Sequence, residues 1–166
     1  MPRAYGWYGL AALVVLLDRA SKLAVLERFR PGEGVAVADF FNLVLVFNKG
    51  AAFSFLASAP GWQTPFFVAI AVIAVLIVGF LIHKDPGKTL FCVGLALILG
   101  GALGNLWDRL QWGHVVDFLD FHAAGWHWPA FNVADSAITV GAGILILEGF
   151  LQRNGDEKRE TSEKRA

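Results

Sequence analysis

Apolar positions along the chain are gathered into long blocks rather than spread at helical or strand period. Phe66 to Ile82 reads FFVAIAVIAVLIVGFLI without a charge, and the uncharged stretch reaches back to Ala59. Thr89 to Trp107, TLFCVGLALILGGALGNLW, is uncharged as well. A helix rises about 1.5 Å per residue, so roughly 20 residues cross a hydrocarbon core of about 30 Å. Both blocks predict membrane spans. Tyr5 to Leu26 predicts a third, apolar through Leu17 and then carrying Asp18, Arg19 and Lys22. Asn132 to Leu151 predicts a fourth, with Asp135 near its start and Glu148 near its end. Arg3 ahead of an apolar run also fits a secretory signal peptide. No small-x-small pattern closes that run and three further spans follow, so it is read as an uncleaved helix.

The pattern changes between the first two spans. Val35–Phe41 and Leu43–Phe47 are rich in β-branched and aromatic residues, punctuated by Gly32, Gly34 and Asn42. This predicts a small antiparallel sheet resting on the membrane surface. Asn48 to Phe55 follows, with small residues flanked by aromatics. Trp62, Trp112, Trp126 and Trp128 fall near the outer ends of spans, where indoles anchor to the interface.

Composition supports the membrane reading. The chain is 56% hydrophobic and 17% charged, against about 45–50% and about 25% in soluble domains. Fourteen basic residues balance fourteen acidic ones, so no bulk charge draws it to nucleic acid. One cysteine, Cys92, excludes an internal disulfide and a cysteine-rich metal cluster. Four spans place both termini on one side with the 83–88 turn. That side carries eight basic residues and the other carries Arg28, Arg30, Lys49 and Arg109, which makes the first side cytoplasmic. Residues 1–152 read as a single membrane domain and 153–166 as a disordered tail.

Charged groups are costly in a bilayer and need a partner or a task. Asp18 and Lys22 share a helix face at a spacing of four and predict an internal ion pair. Asp108 and Arg109 read as an interfacial anchor, and Gly100, Gly101 and Gly104 as a close-packing surface. Asp135 opens an apolar helix with no basic residue within four positions. It either complements the helix dipole or faces a second carboxylate. Asp117 and Asp120 both lie at the right depth; in an extended segment they point to opposite faces, so one alone meets Asp135. Spacing does not choose between them. Two adjacent carboxylates share a proton, so one serves as base and the other as acid without a metal.

The ordered set Asp18-x-x-x-Lys22, Phe47-Asn48-x-Gly50-Ala51-Ala52-Phe53-Ser54, Gly100-Gly101-Ala102-x-Gly104-Asn105-x-x-Asp108-Arg109, Val116-Asp117-Phe118 and Phe131-Asn132-x-Ala134-Asp135-Ser136 resembles bacterial lipoprotein signal peptidase, the type II signal peptidase. The resemblance implies an all-α integral membrane protein of four transmembrane helices with a small extracytoplasmic β-cradle, in the bacterial inner membrane. It implies an aspartyl endopeptidase acting on prolipoproteins just before a cysteine carrying diacylglyceryl. By position it makes Asp117 and Asp135 the catalytic pair and Asp120 a bystander. Asn48, Asn105, Arg109 and Asn132 fall on polar positions that line or support the site, Asp18 and Lys22 on a supporting motif, and Gly50 where backbone approaches bulky lipid. No metal or cofactor is expected, and the expected state is a monomer whose partners are its substrate and membrane lipid, with the site toward the periplasmic face.

Three rival readings frame the comparison. A serine enzyme would pair Ser54 or Ser136 with His83, His114, His122 or His127, none of them in a nucleophile motif. A metalloprotease lacks a helical His-x-x-x-His pair. A small transporter would use Asp18 and Asp135 as a proton relay.

Overall fold

The computed structural model describes residues 2–50 and 62–163, with side chains for 4–50 and 62–153. Four helices, α1 (Pro2–Arg28), α2 (Gln63–Lys84), α3 (Thr89–Trp112) and α4 (Val133–Glu163), are joined by strands β1 (Gly34–Ala38), β2 (Phe41–Asn48), β3 (Val115–Ala123) and β4 (Trp126–His127). Ala51, Ala52, Phe53, Ser54 and Phe55 lie outside the described residues.

Helix α3 is the central element and packs against α1, α2 and α4. Small residues bring it close to α4. A Cβ on Gly94 would stand 2.9 Å from the Gly141 carbonyl oxygen, and one on Gly141 would stand 2.6 Å from that of Gly94. Without a strong hydrophobic drive inside a membrane, such close backbone contact holds helices together. At one end of the bundle the Trp7 indole donates to the Pro86 carbonyl at 3.0 Å. At the other end Thr64 donates to the Gly113 carbonyl at 3.0 Å, and the sheet begins. The start of α1 and the turn between α2 and α3 therefore share one end, opposite the sheet.

Among the described residues three helical stretches are long and apolar enough to cross a membrane: Gln63–Lys84, Thr89–Trp112 and Val133–Arg153. The fourth expected span is corrected on this measure. α1 has the length, about 40 Å for 27 residues, but Asp18, Arg19 and Lys22 break its apolar run. The bundle accommodates them by pairing, with Asp18 and Lys22 fully buried. α3 runs through Asp108 and Arg109 to Trp112, so these residues close the span in its last turns. One boundary moves. The backbone stays helical from Arg153 to Glu163, where the sequence reading places a disordered tail; Glu, Lys and Arg are good helix formers and continue α4 into polar sequence.

The sheet is antiparallel in the order β1-β2-β3-β4. The turn between β1 and β2 falls at Asp39-Phe40 and not at Asn42, which pairs with Ala36. Val25 of α1, Leu45 of β2, and Val116 and Phe118 of β3 form a buried cluster that seats the sheet on the bundle. Each such side chain contributes roughly 1.5–3 kcal/mol when fully buried.

Candidate active site

The site is assembled where β3 meets the start of α4. After β4 the chain returns along β3: Phe131 N–H donates to the Leu119 carbonyl at 3.1 Å, and the N–H groups of Phe118 and Leu119 donate to the Phe131 carbonyl at 3.0 and 2.8 Å. This pairing sets Asn132 beside Asp117. Asn132 then caps α4. Its side-chain oxygen accepts the Asp135 N–H at 2.9 Å, while the Asp135 carboxylate accepts the Asn132 N–H at 3.3 Å. The two residues satisfy each other's backbone donors in a capping box. Asp135 thus meets the helix-terminus expectation and also projects toward a second carboxylate.

That carboxylate is Asp117. Asn132 Nδ2 donates to Asp117 Oδ1 at 2.7 Å and also reaches Asn105 Oδ1 at 3.2 Å. Asn105 Nδ2 donates to Asp135 Oδ1 at 2.7 Å. Asn48 Nδ2 donates to Asp117 Oδ2 at 3.0 Å. The register explains Asn48: Val46 lies opposite Asp117 and Asn48 opposite Val115, so Asn48 and Asp117 are diagonal neighbours on one face. Burial, and then the charge of Asp135, push the Asp117 carboxyl up from 3.8 to about 7.

Arg109 Nη2 donates to the Gly50 carbonyl at 3.0 Å, and its guanidinium lies over the Phe67 ring, 5.3 Å from its centroid. Gly50 N–H donates to Asn48 Oδ1 at 2.9 Å. Arg109 and Asn48 therefore hold Gly50 beside the aspartates, and the Arg109 charge acts on both acidic groups.

Beneath this layer lies a charge cluster. Lys22 Nζ sits 2.8 Å from Asp18 Oδ2, 2.8 Å from Asp108 Oδ2 and 3.1 Å from Asn105 Oδ1. Asp108 Oδ1 also accepts Arg19 Nη1 at 2.8 Å, and the Arg19 guanidinium stacks 4.6 Å from the Trp112 ring centroid. Asp18 Oδ1 accepts the Ala134 N–H at 2.9 Å, tying α1 to the first turn of α4. A Cβ on Gly104 would stand 2.6 Å from Asp18 Oδ2, so that glycine leaves the room the carboxylate occupies. The expected Asp18–Lys22 pair is present. Asp108 is buried and does not serve as the interfacial anchor expected of it with Arg109; it joins Lys22, Arg19 and the Val116 N–H. Charges on two helices far apart along the chain carry no local sequence signal that they meet.

Asp120 points elsewhere. Asn42 Nδ2 donates to it at 2.8 Å, and His127 Nδ1 lies 2.9 Å from Oδ1. Burial pushes its carboxyl up, but the hydrogen bonds from Asn42 and His127 outweigh that and hold it below the usual carboxylate range. The histidines at the sheet end are engaged apart from the cleft: His114 against Phe47, and His122 stacked on His127. The Ser136 hydroxyl donates to the Asn132 carbonyl at 2.9 Å, so it has a backbone partner rather than a histidine base. Among the described residues no three His, Cys, Asp or Glu side chains are grouped to hold a metal ion.

Asp117 and Asp135 lie in a cleft of about 540 Å³, walled by Trp128, Ala130 and Phe131 on one side and by Ile138, Thr139 and Val140 of α4 on another. Val140 is 55% exposed on the outer surface of the bundle, so the cleft reaches the flank of the helices as well as the sheet. Of the wall residues, Trp128 reads from sequence only as an interfacial anchor, and 129–130 and 138–140 carry no motif.

Fold and cleft define a helical membrane protein with an acidic pair held beneath a small sheet. Residues 10–151 match the sequence profile of Signal peptidase (SPase) II, and the chain belongs to that family of peptidases. The lipoprotein signal peptidase of Paraburkholderia phytofirmans is 57% identical over 149 residues, 90% of this chain and 87% of that one. That of Janthinobacterium sp. is 56% identical over 149 residues, 90% of each chain. A bacterial membrane enzyme structure solved by the in meso method superposes with a TM-score of 0.79 at 30% identity, covering 91% of this chain and 90% of that one.

Proposed function

We propose that this peptidase is an intramembrane aspartyl endopeptidase that removes signal peptides from prolipoproteins, cutting before a cysteine that carries diacylglyceryl. The observation that supports it most is the bridging of Asp117 and Asp135 through Asn132 and Asn105 at the head of an apolar cleft. α1 lies parallel to α3 along the bundle, with its charges paired inside, and serves as the fourth span. The sheet end faces the periplasm, both termini face the cytoplasm, and the enzyme acts as a monomer in the inner membrane.

The substrate's signal helix and lipid approach from the flank along α4. The scissile peptide lies between the aspartates, with its lipid against the apolar wall. One carboxylate takes a proton from water, which attacks the carbonyl carbon. The other carboxyl gives its proton to the carbonyl oxygen. The tetrahedral intermediate then collapses as the leaving amine is protonated. Asn48 and Asn132 orient Asp117, Asn105 orients Asp135, and Arg109 holds the Gly50 backbone at the rim. This division of labour needs no metal or cofactor from the residues described.

The test is cleavage of a diacylated prolipoprotein in detergent. Asp117→Asn and Asp135→Asn each lose roughly 10²–10⁴-fold or more while remaining folded, and Asp120→Asn stays active. An active Asp117→Asn beside an inactive Asp120→Asn overturns the assignment.

A further inference from the structure

Lys22 is a fully buried cation that no step above uses. Its ammonium has three partners, Asp18, Asp108 and Asn105, which take its three N–H donors. The Asn105 contact determines how an amide sits. Asn105 Oδ1 accepts from Lys22 at 3.1 Å and from Asn132 Nδ2 at 3.2 Å. Turning the amide over would set its NH₂ group against two donors in a dry site, which costs the desolvation of each. The Asn105 amide is therefore held with Nδ2 toward Asp135 Oδ1, at 2.7 Å.

The two aspartates are not equivalent under this arrangement. Asp135 accepts from an amide polarised by an ammonium ion. It also accepts a backbone N–H at the start of α4, where the helix dipole favours negative charge. Asp117 sits on a strand and accepts from two side-chain amides, of which Asn48 is turned by the Gly50 N–H and Asn132 by the Asp135 N–H. The charged groups acting on Asp135 are Lys22 from α1, Arg109 from α3 and Asp117 from β3; those around Lys22 are Asp18 and Asp108.

We propose that Lys22 is a positioning residue which, through the Asn105 amide, holds Asp135 as the standing carboxylate and general base of the pair and leaves the shared proton on Asp117 as the general acid. The inference rests on the aspartyl reading above.

The test is the pH dependence of kcat for the full-length enzyme in detergent, with a diacylated prolipoprotein. Lys22→Met is combined with Asp18→Asn, so that the cluster loses one charge of each sign. Weakening the donor to Asp135 makes the base harder to deprotonate. The acid limb of the kcat profile then moves to higher pH by about one unit, corresponding to about 1.4 kcal/mol, and kcat falls far more than KM changes. Lys22→Arg, which keeps a donor, returns the limb toward its original position. Asn105→Ser interrupts the same path with all ion pairs intact and shows the same shift; it decides the matter if the double variant does not fold. A purely structural role would lower the rate equally at every pH. An unmoved acid limb in folded Asn105→Ser, or in the folded double variant, overturns the inference. If Asp117→Asn or Asp135→Asn is active, the aspartyl reading itself has failed; if both are inactive and the limb is unmoved, the role of Lys22 alone has failed.

Discussion

A Cβ placed on Gly101 would stand 2.4 Å from the carbonyl oxygen of Ala134, the residue immediately before Asp135. The position of one acidic group of the pair is thus set by how closely α3 lets the first turn of α4 approach. The obstructing atom is backbone and has no rotamer to escape into. Gly101→Ala lowers stability by about 1–3 kcal/mol and reduces kcat/KM by displacing Asp135. Gly143→Ala, whose added Cβ meets nothing within 4 Å, leaves both near the parent values. Thermal unfolding in detergent beside cleavage rates checks this, and equal behaviour of the two variants refutes it.

Asn132 serves two elements at once, as cap of α4 and as donor to Asp117. Asn132→Ala removes a cap worth about 0.5–2 kcal/mol and leaves buried acceptors unpaired at about 1–3 kcal/mol. Asn132→Asp keeps the cap oxygen but places a third carboxylate between the first two. The expected outcome is that Asn132→Asp unfolds less readily than Asn132→Ala at low pH and is nevertheless inactive. Activity in Asn132→Asp would show that the amide donor to Asp117 is dispensable.

The Asp117 carboxyl, pushed up to about 7 by burial and by Asp135, has consequences for rate and for stability. kcat/KM falls as pH rises through about 7, because the pair loses the proton needed for the acid role; the two limbs belong to the pair. For stability, the folded protein holds this proton more tightly than the unfolded chain between 3.8 and about 7. That contribution is present below 3.8 and is lost as pH rises through the window. Asp117→Asn removes the dependence, so its melting temperature exceeds that of the parent by several degrees at pH 8 and by much less at pH 5. A gap that does not change with pH contradicts the buried, proton-holding carboxyl.

Topology is open to a direct measurement. The start of α1 and the 85–88 turn lie at one end of the bundle and the sheet at the other. An alkaline phosphatase fusion after Gln152 is silent and one after Lys49 is active when the sheet end is periplasmic. The reverse pattern would place the acidic pair on the cytoplasmic side.

Contiguous features were legible in the sequence. The apolar blocks of α2 and α3 need no context, because a run of about 20 apolar residues has one low-energy solution beside lipid. The β-branched runs around Val35 and Val44 likewise yield strands, with a turn displaced to Asp39-Phe40 because local propensity does not fix register. The Asp18–Lys22 pair follows from helix spacing alone. α1 was harder: hydropathy counts Asp18, Arg19 and Lys22 against it, and only α3 supplies the Asp108 and Asn105 that pair with them.

By itself, then, the sequence determined the helix blocks, the small sheet and the residue types available for acid chemistry, since each follows from neighbours on the chain. Spacing left Asp117 and Asp120 as equal partners for Asp135, and only the motif resemblance favoured Asp117. The tertiary structure separated them. Residues three apart on a strand face opposite ways, and the return of Phe131 along β3 delivers Asn132 to the Asp117 face while Asn42 and His127 engage Asp120. The choice depends on which face of β3 the fold turns toward α4, and that is decided by packing between segments far apart in sequence.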